Sequence, residues 1–147
     1  TVMGLRVLAE YLADNKHKTY GPLMIDLIDS VKSDKQYRRS TVFVRVAPYL
    51  QARLYLMLGN TKQAFELYSE AIKRYKKTSS SLQMVAELGM AGQPELGLKL
   101  LEQAWQVFLQ ESDNYPDRGR EVYGEEFEYL RRSLTEDTCL NKFEQCE

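Results

Sequence analysis

Apolar residues recur along most of this chain at helical spacing, separated by short polar corners. Leu5, Leu8 and Leu12 form one i, i+3, i+7 stripe, and Met24, Leu27, Ile28 and Val31 form a second. "KTYGP" at 18–22 divides them, with Pro22 suited to the first turn of the second helix. The polar stretch "KSDKQYRRS", 32–40, reads as a connection. A long periodic run from Thr41 to Leu58 follows, and Pro48 predicts either a kink there or a helix that begins near Ala47. "STVFVRV" at 40–46 is rich in β-branched residues, but no second such run exists to pair with it, so helix is the expectation.

Gly59 closes that helix and Asn60 caps the next, with Gln63 at the capping-box position. Tyr68, Ala71, Ile72 and Tyr75 carry the buried stripe of this helix. "KKTSSS", 76–81, reads as a loop and cap cluster before Leu82, Val85 and Leu88. Pro94 opens a helix with the stripe Leu98, Leu101, Ala104, Trp105 and Phe108. "ESDNYPDRG", 111–119, is the clearest break, and Tyr123, Phe127, Leu130 and Leu134 mark a last helix. The expected fold is therefore all-α, about seven helices in antiparallel hairpins. It occupies a single domain over residues 1–135, with a polar tail at 136–147.

"LGNTKQAFELYSEAIKRY", 58–75, and "AGQPELGLKLLEQAWQVF", 91–108, superimpose with a period of 33 residues. Gly59 aligns with Gly92, Ala64 with Gly97, Tyr68 with Leu101, Ala71 with Ala104 and Tyr75 with Phe108. Such a period with paired helices marks a stacked helical-repeat array. Small residues let two helices approach closely, while the large ones between them fill the space to the neighbouring repeat. The glycines permit a left-handed backbone at each corner.

Residues 46–76 resemble a tetratricopeptide repeat (TPR). Ala52 and Tyr55 match the small and aromatic positions of its first helix, Gly59 its turn, and Ala64, Tyr68 and Ala71 the small–aromatic–small pattern of its second. The copy at 79–109 departs further: Val85, Leu88, Gly97 and Leu101 replace the expected types, and only Ala104 is retained. Lys76 and Leu109 stand where the family closes with proline. The resemblance implies a right-handed solenoid with a concave groove lined by the first helix of each hairpin. By the repeat alignment the partner-binding residues are Tyr49, Arg53, Leu56 and Met57 in one unit, and Leu82, Ala86 and Met90 in the next. The lysine and asparagine clamp with which chaperone-binding members hold a peptide carboxylate is missing. The expected ligand is instead an apolar or amphipathic protein segment. A homodimer, or contact with other repeats of a longer chain, is the plainer alternative.

Composition narrows the remaining classes. Twenty basic and 21 acidic side chains leave a net charge of −1, which argues against the basic footprint of general nucleic-acid binding. The clusters "YRR" 37–39, "KRYKK" 73–77 and "YLRR" 129–132 do join tyrosine to cations, so an RNA-binding helical repeat is the alternative function. His17 is the sole histidine and sits in a polar corner, so no Ser-His-Asp or Cys-His relay can be assembled. "GQPELG" lacks the spacing and lysine of a phosphate loop. Glu125 and Glu128 share a helical face, which reads as solvated rather than catalytic. A non-catalytic module without cofactor or metal is expected.

No apolar run is long enough to span a bilayer. Cys139 and Cys146, seven residues apart, would lie about 10 Å apart along a continuous helix, beyond the roughly 7 Å a disulfide tolerates. They read as free thiols, or as a local bridge if the tail turns back. The first implies the cytoplasm and the second an oxidising compartment. The N-terminal Thr suggests a segment of a longer protein.

Overall fold

A computed structural model describes residues 2–136, and the predicted tail with Cys139 and Cys146 lies outside the described residues. The order is α1 (Val2–Asp14), α2 (Gly21–Ser33), α3 (Lys35–Arg38), α4 (Thr41–Met57), α5 (Thr61–Tyr75), α6 (Thr78–Met90), α7 (Pro94–Glu111), a 3-10 turn (Ser112–Asn114) and α8 (Asp117–Thr135). Seven helices have 13 residues or more, α3 is a single turn, and no strand occurs among the described residues. The protein is all-α, as its apolar period predicts.

Local chemistry explains most boundaries. Ser40 caps α4 by accepting the Phe43 N–H at 3.3 Å, so the helix starts at Thr41 and runs through the buried Pro48. The alternative start near Ala47 is not used. Proline costs α4 one internal hydrogen bond, and its burial offsets that loss. Asn60 Oδ1 accepts the Gln63 N–H at 3.3 Å at the start of α5. The connection predicted at 32–40 folds in part as α3, and α6 begins at Thr78 inside the predicted cap cluster.

Helices α4 and α6 end in the same way. Gly59 and Gly92 hold φ of +82° and +74°. In the first, Gly59 N–H donates to Leu56 O and Asn60 N–H to Tyr55 O. In the second, Gly92 N–H donates to Gly89 O and Gln93 N–H to Leu88 O. These are two Schellman closures one repeat apart. Helix α1 makes a third with Lys16 in the left-handed position, φ 54°, where glycine would be expected.

The chain divides into two compact units, Thr1–Ala71 and Ile72–Glu147. In the first, α1 and α2 pack on each other and α4 packs on both. Ala9, Leu12, Met24, Ile25, Ile28, Phe43, Ala47, Leu50 and Leu54 form its core. The inward stripes differ from those predicted, because Leu8 and Leu27 are exposed and Ala9 and Ile25 take the interior; the Leu5 side chain lies outside the described set. Gln51, 2 % exposed, is the polar member of this interior.

In the second unit α6 packs on α7, and α8 packs on both. Leu82, Val85, Leu88, Leu101, Ala104, Phe108, Phe127, Leu130 and Leu134 are buried. Phe108 lies 5.3–6.1 Å from the rings of Trp105, Tyr115, Tyr123 and Phe127. Trp105 is half-buried rather than wholly enclosed. The three alanines predicted to sit at helix contacts, Ala64, Ala71 and Ala104, are each at most 2 % exposed.

Candidate functional site

The groove predicted from the repeat alignment draws on both units: Tyr49, Arg53, Leu56 and Met57 on α4, and Leu82, Ala86 and Met90 on α6. On α4 these side chains are already engaged within the chain. The Arg53 guanidinium pairs with Asp14 of α1 and lies 5.8 Å over the Tyr49 ring. Tyr49 in turn lies 6.1 Å from the ring of Tyr68 on α5. Met57 packs against the first core, and its methyl carbon would stand 2.7 Å from a Cβ placed on Gly21. Leu56 is half-buried.

On α6, Leu82 is buried, which corrects its assignment to a binding surface. It falls at i, i+3 and i+7 with Val85 and Gly89, all on the buried arc. Ala86, half-buried, and Met90, exposed, remain at the surface. His17, in the polar corner after α1, is half-buried and stacks on Tyr11 with ring centroids 5.5 Å apart.

Other large apolar side chains of the first unit stand open to solvent. Val7, Leu8 and Tyr11 of α1, Tyr20 at the corner, and Leu23 and Leu27 of α2 are 45–63 % exposed. Val7, Leu8 and Tyr11 span roughly 100° of α1, and Leu23 and Leu27 are one turn apart on α2. Each helix therefore has two apolar stripes, one inside and one outside.

Contacts to α4 establish where the outer stripes lie. Around α1, Asp14 reaches α4 through Arg53 and shares a row with exposed Val7 and Tyr11, with Leu8 next and buried Leu12 and Ala9 beyond it. Around α2, Gly21 and Asp29 touch α4 through Met57 and Gln51, buried Ile28 and Met24 come next, and Leu27 and Leu23 follow. On α2 the buried arc separates α4 from the exposed stripe. Sequence reasoning assigned Leu8 and Leu27 to the core; the excess of apolar positions on each short helix was the available signal.

In the second unit, a shallow groove of about 420 Å³ runs beside α7, lined by Lys73, Lys76, Gln103, Gln106 and Gln110 among others. Lys76 pairs with Glu111 at 3.4 Å, and Gln106 donates to Glu102 at 2.9 Å. Its cations come from the "KRYKK" segment. Among the described residues, no cluster of three or more His, Cys, Asp or Glu side chains is placed to hold a metal, and no helix is long and apolar enough to cross a membrane.

No protein-family model, curated protein or solved structure matches this chain.

Proposed function

We propose that this protein is a TPR-like interaction module that works by binding another helical surface, without catalysis, through the exposed apolar residues of α1, α2 and the corner between them. The observation that carries the reading is the exposure of six large apolar side chains there. Exposed apolar surface of this kind marks an interaction site. Helical packing favours a helical partner, because each unit already closes by laying a third helix over a hairpin, α4 over α1 and α2, and α8 over α6 and α7. The paired corners at Gly59 and Gly92 and the buried alanines support the repeat character. The binding surface proposed here replaces the α4–α6 groove, since Leu82 is buried and Met57 is used inside its own unit.

Amide chemical-shift mapping with a neutral, leucine-faced amphipathic peptide tests this. Shifts should cluster at Val7–Tyr11 and Tyr20–Leu27 and leave Ala86 and Met90 unmoved. Shifts confined to Ala86 and Met90 would return binding to the α6 surface.

A further inference from the structure

We draw no further inference here: the strongest candidate, the shallow groove of about 420 Å³ beside α7, is lined by Lys73, Lys76 and Glu102 with Lys76 already paired to Glu111, so its charges offset one another and nothing in the structure shows what would fill it.

Discussion

The amide of Gln51, buried in the middle of α4, donates to the carboxylate of Asp29 on α2 at 2.6 Å. Its oxygen accepts from Lys32 at 3.1 Å, and its nitrogen also reaches Ile25 O at 3.4 Å. One side chain thus joins an acid, a base and a backbone carbonyl of the same helix. Truncation to Ala should cost about 2–4 kcal/mol, from the lost charged hydrogen bonds and the space left behind. Gln51→Met, which keeps the volume, should cost less than about 1.5 kcal/mol, because Asp29 and Lys32 can turn to water. Equal losses in urea unfolding would show that the network, not the volume, holds α2 on α4.

The corners offer a cleaner test, since nothing lies within 4 Å of a Cβ added to Gly59 or Gly92. Any penalty for alanine there is conformational. Gly59→Ala and Gly92→Ala should each lose about 1–2 kcal/mol. Lys16→Gly, at the third corner, should gain about 0.5–1 kcal/mol by relieving a left-handed lysine. Thermal unfolding of the three variants reads all of these, and a stabilised Gly59→Ala would refute the account.

A Cβ on Gly97 would come 3.2 Å from Leu134 Cδ2. Gly97→Ala gains helix propensity of about 1 kcal/mol and spends it displacing Leu134, so its net effect should be near zero. Gly97→Leu should overpack the contact and cost about 1–3 kcal/mol. In the background of Leu134→Ala, Gly97→Ala should turn stabilising. Strict additivity in that double-mutant cycle would mean the two residues do not share the space.

The single tryptophan reports on the second unit. Trp105 lies 5.1 Å from the Phe127 ring and 5.5 Å from Phe108, yet keeps an open edge. Its emission should be moderately blue-shifted, and acrylamide should quench it partly. Trp105→Ala should cost about 3 kcal/mol, at the low end for a large aromatic. Emission like that of free tryptophan would show that the aromatic cluster does not form.

Burial, then the negative charge of Asp29 and Asp26, raises the Tyr55 phenol above the ordinary tyrosine value. The native state therefore holds its proton longer than the unfolded chain does. The stabilisation this gives is complete below the unfolded pKa and is lost as the pH rises through the native one. Tyr55→Phe should flatten the alkaline fall in stability and remove a late component from the ultraviolet titration of tyrosine. An unchanged alkaline profile would deny the raised pKa.

What was legible in the sequence is what local physics decides. The 3.6-residue apolar period specified helices, and Gly59, Gly92 and Asn60 marked corners because a positive φ or a cap depends on a few neighbouring atoms. The 33-residue recurrence located the small side chains at contacts, and Ala64, Ala71 and Ala104 are buried as that spacing requires. Which apolar stripe faces inward was a different matter. Helices α1 and α2 each carry two stripes, and only packing against α4 turned Ala9, Leu12, Met24 and Ile28 inward and left Leu8, Leu23 and Leu27 outside. Periodicity gives the angle between side chains on one helix, but not the direction of its neighbour. The same limit misplaced Leu82, whose burial depends on residues distant in sequence. The candidate docking face was decided by tertiary structure, because an open surface is what remains after every other contact has been made.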